Sequence, residues 1–94
     1  MPVLKAIAGP KADLTLSLGT EPARIGRDRA ACTLHVGHES VSREHAELLP
    51  AAGGWIIQDL GSSNGTFVNG TRVERRPLLP GDEIRVGDIV FAFL

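Results

Sequence analysis

The chain of 94 residues is 43% hydrophobic and 22% charged, an ordinary balance for a single globular domain. Its net charge of −1 argues against a dedicated nucleic-acid-binding domain, because such domains usually carry a strong basic excess. The single cysteine, Cys32, excludes an intrachain disulfide and a zinc cluster built on cysteines. We therefore expect one domain over residues 1–94, with no cofactor.

No run of residues approaches the ~18 apolar positions that a membrane helix needs, and the N-terminus lacks the pattern of a signal peptide. We therefore expect a soluble, cytoplasmic protein with no membrane partner. The sequence is also compatible with one module of a longer multidomain protein.

Turn signals recur at short intervals, which is typical of many short strands packed in a sandwich or barrel. Alternating or β-prone runs predict strands at 3–8, 13–18, 23–27, 33–36, 55–60, 66–68, 72–73, 83–86 and 89–94. Turns are predicted between them at Gly9-Pro10, Gly53-Gly54, Pro80-Gly81 and Gly87-Asp88. The run 89–94 is apolar on both faces, so we expect a central, well-covered strand there.

The segment 42–49 is ambiguous. It contains no glycine or proline and is rich in helix formers, so propensity alone predicts a short helix that Pro50 stops. Its apolar positions Ala46 and Leu48, however, alternate with polar ones, as in a half-buried strand. A run this short does not distinguish the two periods.

Two Asn-Gly pairs, Asn64-Gly65 and Asn69-Gly70, lie on either side of one short β-prone run. Asn-Gly favours tight turns because both residues accept a positive φ at low cost. Both pairs are therefore predicted as hairpin turns around one short strand. A second interpretation is that Ser63 and Asn64, held on the tip of a rigid turn, grip a ligand.

Four polar clusters lie at predicted strand-to-loop boundaries: Gly26-Arg27, Ser42 with His45, Ser63-Asn64-Gly65, and Asn69-Gly70. Binding residues concentrate on loops that a rigid β scaffold holds in place. If the four loops lie at one end of a sandwich, they present an arginine fork, hydroxyl groups and a side-chain amide. Such hydrogen-bond donors with cationic charge suit an anionic, oxygen-rich group such as a phosphate.

The ordered set of motifs resembles the forkhead-associated (FHA) domain over residues 3–94. The matching segments are Ile25-Gly26-Arg27, Val41-Ser42-Arg43-Glu44-His45-Ala46, the run 59–70, and the closing turns at 79–84 and Gly87. Gly-Arg alone would be weak evidence, but the full set at these spacings is specific. The resemblance implies an all-β sandwich of two sheets with about eleven short strands and with its binding loops at one end. It also implies that 42–49 enters a strand.

The resemblance further implies recognition of phosphothreonine in extended peptides, and hence a partner protein that a serine/threonine kinase has phosphorylated. Arg27 and Ser42 would bind the phosphate oxygens, and Arg43 would supply a further donor. Ser63 would help to hold the phosphothreonine. Asn64 would form hydrogen bonds with the peptide backbone.

Three residues would support this site structurally: Gly26, His45 and Gly65. Gly26 would let the backbone pack closely beside Arg27, and the ring of His45 would brace the loop that carries Ser42. On the same resemblance, Asn69-Gly70 would only turn the chain.

Two further kinds of site are compatible with the residue types present: a catalytic triad and a metal site. Ser42, His45 and Asp59 could on paper form a hydrolase triad. Ser42, however, has neither a Gly-x-Ser-x-Gly elbow nor adjoining oxyanion-hole glycines, so we expect no enzyme. A metal site built on Cys32 and the nearby histidines would lack a fourth ligand.

The serious alternative keeps the fold and drops the phosphate: a phosphorylation-independent module for protein interaction or assembly. The resemblance to the FHA domain also implies that loop residues select the sequence C-terminal to the phosphothreonine, and segments 38–41 and 72–76 are the candidates. The second segment contains a local cluster of arginines, Arg72, Arg75 and Arg76, which is either a solvated face or a contact for an acidic peptide.

Overall fold

The computed structural model describes residues 2–10 and 14–94, which form eleven strands. In chain order they are β1 (Val3–Ala8), β2 (Thr15–Ser17), β3 (Ala23–Gly26), β4 (Leu34–His35), β5 (Ala46–Ala51), β6 (Gly54–Asp59), β7 (Thr66–Val68), β8 (Thr71–Val73), β9 (Arg75–Leu78), β10 (Glu83–Val86) and β11 (Ile89–Phe93). Each strand predicted from alternation is present, although Asp13 lies outside the described residues. Within the described ranges, no helix is long and apolar enough to cross a membrane.

The strands form two sheets packed as a sandwich. The first sheet has the order β2-β1-β11-β10-β7-β8, and the second sheet has the order β4-β3-β5-β6-β9. Neighbouring strands run antiparallel, except that β3 and β4 are parallel. β11 lies between β1 and β10, which confirms its predicted central position. The all-β, two-sheet prediction is confirmed.

Period-two alternation explains how the strands build the core. Ile84 and Val86 on β10, and Ile89, Phe91 and Phe93 on β11, are at most 5% exposed. Burying each such large side chain is worth about 1.5–3 kcal/mol, so this layer holds the strand ends in place. The packed strand ends in turn fix the positions at which the connecting loops begin and end.

The ambiguous segment becomes strand β5, beginning at Ala46. Ala46 and Leu48 have no exposed surface, and both pair with β3 on one side and β6 on the other. This burial between two neighbours overrides the local helix propensity. The strand continues past Pro50, which pairs with Trp55, so the strand that the resemblance implied is present and the helix that propensity alone favoured is not.

Strand β9 was not predicted, because Pro77 and two arginines give it no apolar alternation. It is an edge strand of the second sheet, where proline is tolerated. Its position also splits the basic cluster that the sequence suggested. Arg72 lies on β8 in the first sheet, whereas Arg75 and Arg76 lie on β9 in the second.

The two Asn-Gly pairs adopt different conformations. Asn69 (φ 52°) and Gly70 (φ 83°) are both in the left-handed region and close the predicted hairpin between β7 and β8. At the first pair, only Gly65 has a positive φ. This pair lies between β6 and β7, which belong to different sheets, so the prediction of a hairpin turn there is wrong.

Candidate functional site

Arg27 follows the end of β3 and is exposed. Its backbone amide donates to the Ser42 carbonyl oxygen at 3.0 Å, and its Nε donates to the Val41 carbonyl oxygen at 3.0 Å. Neither terminal nitrogen of this guanidinium has a hydrogen-bond or ion-pair partner in the part of the chain that the structure describes. The arginine fork is therefore oriented through Nε while its terminal nitrogens stay available.

Gly26 lets the β3–β4 loop and the segment before β5 pack backbone to backbone. A Cβ atom there would lie 2.1 Å from the Arg43 carbonyl oxygen and 2.7 Å from Cys32 Sγ. The Arg43 carbonyl also accepts the Asp28 amide at 3.1 Å and the Cys32 thiol at 3.1 Å. The Arg43 side chain is exposed and has no hydrogen-bond partner among the described residues, so it offers a second unpaired cation, next to Ser42 in the chain.

His45 is fully buried beneath the loops. Its Nδ1 accepts the Ser42 amide at 3.0 Å, and its Nε2 donates to the Gly65 carbonyl oxygen at 2.9 Å. Burial lowers the pKa of His45 and outweighs the Gly65 carbonyl and the Asp59 carboxylate, which raise it. The neutral ring therefore carries its proton on Nε2 and ties the Ser42 loop to the Gly65 loop.

Two serines meet beside Arg27. The hydroxyl oxygen of half-buried Ser42 accepts the Ser63 backbone amide at 3.0 Å. A serine hydroxyl that accepts at its oxygen can still donate its proton. Ser63 is exposed, and its own hydroxyl has no partner in the described ranges. Both hydroxyl protons are therefore available to an anion.

Asn64 is exposed but held in place. Its Nδ2 donates to the Ser40 carbonyl oxygen at 2.7 Å. Ser40 is itself anchored, because its hydroxyl lies 2.7 Å from His38 Nδ1 and accepts the Asp88 amide at 2.9 Å. The second N–H and the Oδ1 atom of Asn64 have no partner in the part of the chain described here.

The structural role of Ser40 was not predicted, although this residue lies in the candidate segment 38–41. Its function in the loop depends on contacts 24 residues away, at Asn64, and 48 residues away, at Asp88. One clue lies in Gly87, where a Cβ atom would come within 2.5 Å of both the Ser40 hydroxyl and its carbonyl oxygen. From the sequence, Gly87 predicts only a turn and does not indicate a contact with Ser40.

Asp59 organises the chain between β6 and β7. Its Oδ2 accepts the amides of Gly61 and Ser62 at 3.0 and 3.1 Å, and its Oδ1 accepts the hydroxyls of Ser62 and Thr66. Partial burial raises the pKa of this carboxyl, but these hydrogen bonds together lower it below the ordinary value. The ionised carboxylate thus shapes the loop that presents Ser63 and Asn64.

Three of the four predicted clusters come together, and the fourth does not. Asn69 instead bonds through Nδ2 to Asp82 Oδ1 at 3.0 Å and through Oδ1 to the Glu83 amide at 2.9 Å. These bonds place it at the end of β7 away from Thr66, next to the turn before β10. The condition that all four loops lie at one end is therefore not met by Asn69-Gly70, the pair expected only to turn the chain.

The residues weighed for catalysis and for metal binding have other partners in the fold. His45 Nδ1 is bonded to the Ser42 backbone amide, and Asp59 is bonded to its own loop, so the three residues form no relay. Among residues 2–10 and 14–94, no group of three or more His, Cys, Asp or Glu side chains could hold a metal ion. Cys32 Sγ donates to a backbone carbonyl instead.

The arrangement compares closely with known proteins. The family model of the FHA domain matches residues 23–87. An ABC transporter ATP-binding/permease protein of Mycobacterium tuberculosis is 53% identical over 81 residues, which is 84% of this chain and 9% of that protein. The FHA domain-containing protein FhaB of Mycolicibacterium smegmatis is 35% identical over 83 residues, which is 87% of this chain and 53% of that protein. The chain thus spans about half or less of these relatives.

A solved structure shares both the fold and part of the sequence. It comes from a structural and functional study of phosphothreonine-dependent FHA domain interactions and matches with a TM-score of 0.87 at 28% identity. The match covers 98% of this chain and 93% of the other. With a family match over more than half of its length and this fold, the chain belongs to the FHA domain family.

Proposed function

We propose that this chain, as a single FHA domain over residues 1–94, binds threonine-phosphorylated segments of partner proteins. FHA domains are interaction modules, and the solved relative belongs to a set of phosphothreonine-dependent interactions. The observation that carries the proposal is the Arg27 guanidinium, which is held through Nε at the Val41 carbonyl and keeps its terminal nitrogens free beside Ser42.

The free donors match the chemistry of a phosphate. Phosphothreonine carries a charge of about −1.5 to −2 at neutral pH and has strong acceptor oxygens. Arg27 supplies a planar fork that stays charged, and Ser42 supplies a hydroxyl proton. Arg43 and Ser63 add a second cation and a second hydroxyl. A hydrogen bond to a charged group is worth about 1.5–3 kcal/mol, so a few such contacts give useful affinity.

Asn64 would read the peptide backbone. Its free Oδ1 and second N–H present an acceptor and a donor side by side, which is the pairing that an extended peptide unit offers in return. Gly26, His45 and Gly65 would support the site, since they permit or make the contacts between its loops.

A titration tests the proposal. A degenerate phosphothreonine peptide library and its dephosphorylated counterpart are titrated against wild type, Arg27→Ala and Lys5→Ala. We expect wild type and Lys5→Ala to bind the phosphorylated library alone, because Lys5 lies on β1 among exposed residues of the first sheet. Arg27→Ala should lose at least about tenfold in affinity, the equivalent of one charge-assisted hydrogen bond.

Two outcomes would contradict the proposal. Equal binding of the phosphorylated and dephosphorylated libraries would instead indicate the phosphorylation-independent assembly module. An unchanged affinity in Arg27→Ala would remove this residue from the site. If Arg27→Ala instead loses affinity as expected, a pull-down from the source cells that compares wild type with Arg27→Ala would identify the natural partner.

A further inference from the structure

A row of two arginines and a phenylalanine crosses the outer face of the first sheet. In the register of the sheet, Phe67 on β7 pairs with Arg72 on β8 and with Arg85 on β10. Side chains paired in this way lie on the same face about 4.5–5.5 Å apart at Cβ. Arg72 and Arg85 are exposed and Phe67 is half-buried, so the row faces outward. We call Arg72, Phe67 and Arg85 together the Arg72–Arg85 row.

The Arg85 guanidinium stacks on the phenyl ring. Its Cζ lies 4.1 Å from the centroid of Phe67, a cation–π distance that orients the charge without neutralising it. No carboxylate forms an ion pair with Arg72 or Arg85 among the described residues, where Arg24 alone makes such pairs. The row therefore presents two cations that form no ion pair within the described ranges.

The row is continuous with the loop that carries Asn64. At Gly65, a Cβ atom would lie 2.9 Å from Arg72 Nε and 3.2 Å from a carbon of the Phe67 ring. The absence of a side chain at Gly65 thus lets Arg72 and Phe67 pack directly against the loop. Arg72 therefore lies against Gly65, the residue that follows Asn64 in the chain.

A groove lies along this row on the outer face of the sheet. It has a volume of about 320 Å³ and is lined by Phe67, Gly70, Glu83, Arg85 and Val90. Glu83 lies at its far end, two residues along β10 from Arg85, and pairs with no cation in the described ranges. An acidic segment would therefore be attracted to the end near the Asn64 loop.

We propose that the Arg72–Arg85 row is a second contact surface, which binds carboxylate side chains that flank the phosphothreonine in the same partner segment. The inference rests on the proposed function, because the phosphothreonine would bring the acidic flank to the row. Charge complementarity and the direct packing of Arg72 against Gly65 both favour this occupant.

Degenerate peptide libraries with a central phosphothreonine provide the test. In one pair of libraries the N-terminal flank is either Asp/Glu or Asn/Gln, and in a second pair the C-terminal flank is varied in the same way. Each is titrated against wild type, the double variant Arg72→Gln/Arg85→Gln, and Lys5→Gln, which removes a cation from the same sheet outside the row. Circular dichroism verifies that each variant is folded.

We expect wild type to prefer one acidic-flank library over its neutral partner by about 3- to 10-fold at low salt, as two exposed ion pairs allow. The double variant should lose this preference and keep its affinity for the neutral-flank libraries, while Lys5→Gln behaves as wild type. Equal binding of acidic and neutral flanks by wild type, or a preference that survives in the double variant, would overturn the inference while leaving the proposed function intact. Failure of every phosphorylated library to bind would overturn both.

Discussion

Asn64 donates its Nδ2 proton to the carbonyl oxygen of Ser40 at 2.7 Å, across 24 residues of sequence. This bond holds an exposed amide in one orientation before any ligand arrives. A side chain that is already ordered loses less conformational entropy on binding. The contact thus joins the loop before β7, which carries exposed Asn64, to the buried Ser40 in the segment before β5.

Asn64→Ala should weaken binding of a phosphothreonine peptide by about tenfold, because it removes hydrogen bonds to the peptide backbone worth about 1.5 kcal/mol. Asn64→Asp should be at least as damaging, since a carboxylate cannot donate to the Ser40 carbonyl and repels a phosphate. Isothermal titration calorimetry provides the measurement. Binding that is unchanged in both variants would mean that Asn64 serves the loop alone.

Arg27→Lys should lose most of the binding even though it keeps the charge. Lysine has no Nε–H at the position that now bonds to the Val41 carbonyl, and it lacks the planar fork. Arg43→Lys is the matched control, because the Arg43 side chain has no hydrogen bond to lose among the described residues. We expect a loss of about tenfold or more for Arg27→Lys and clearly less for Arg43→Lys in the same titration. Equal losses would contradict the special placement of Arg27.

Gly26→Ala should destabilise the domain by about 2 kcal/mol or more, because the new methyl group would overlap the Arg43 carbonyl oxygen at 2.1 Å. Gly54→Ala is the control. A Cβ atom there meets nothing within 4 Å, and Gly54 does not have a positive φ. Urea unfolding should show that Gly54→Ala stays within about 1 kcal/mol of wild type. Similar urea midpoints for Gly26→Ala and Gly54→Ala would show that the backbone at Gly26 can move away from Arg43 without loss of stability.

His45→Ala should lower the free energy of unfolding by about 2 kcal/mol or more, since the Ser42 amide and the Gly65 carbonyl would lose their buried partner. Arg27→Ala, an exposed change, should stay within about 1 kcal/mol of wild type. If His45→Ala unfolds like wild type and only its binding suffers, the structural role assigned to His45 is wrong.

Stability should also depend on pH through His45. The pKa of this residue is lowered in the folded state, so below about pH 6.5 the unfolded chain binds a proton that the folded chain does not. The free energy of unfolding should therefore fall as the pH drops from about 6.5 towards the folded pKa, by at most about 1.4 kcal/mol per pH unit. Urea titrations across this range in wild type and His45→Ala isolate the effect. If the free energy of unfolding changes equally with pH in both proteins, titratable groups other than His45 cause the change.

Much of the architecture follows from local sequence. Pro80-Gly81 and Gly87-Asp88 turn where predicted, because their backbone preferences act within a few residues: Gly81 (φ 90°) and Gly87 (φ 60°) both take positive φ. The alternation of β10 and β11 likewise identifies the residues that face the core. The ordered Gly-Arg, Ser-x-x-His and Asn-Gly motifs pointed to the right family.

Tertiary structure determined what depends on distant partners. The segment at Ala46 became a strand because two neighbouring strands bury it, and β9 exists because β6 offers an edge to pair with. The pair Asn64-Gly65 crosses between sheets instead of forming a hairpin, since its flanking strands find partners in different sheets. Local propensity carries no information about such pairings.

The same distinction holds for the binding surface. Sequence by itself indicated the residues of three loops and the phosphate chemistry that they suit. Only the fold brought Ser40 beneath Asn64, separated Arg72 from Arg75, and placed Arg72 and Arg85 on either side of Phe67. Ser40 and Asn64 are 24 residues apart, and Phe67 and Arg85 lie on strands that are not consecutive, so these contacts form only in the assembled fold.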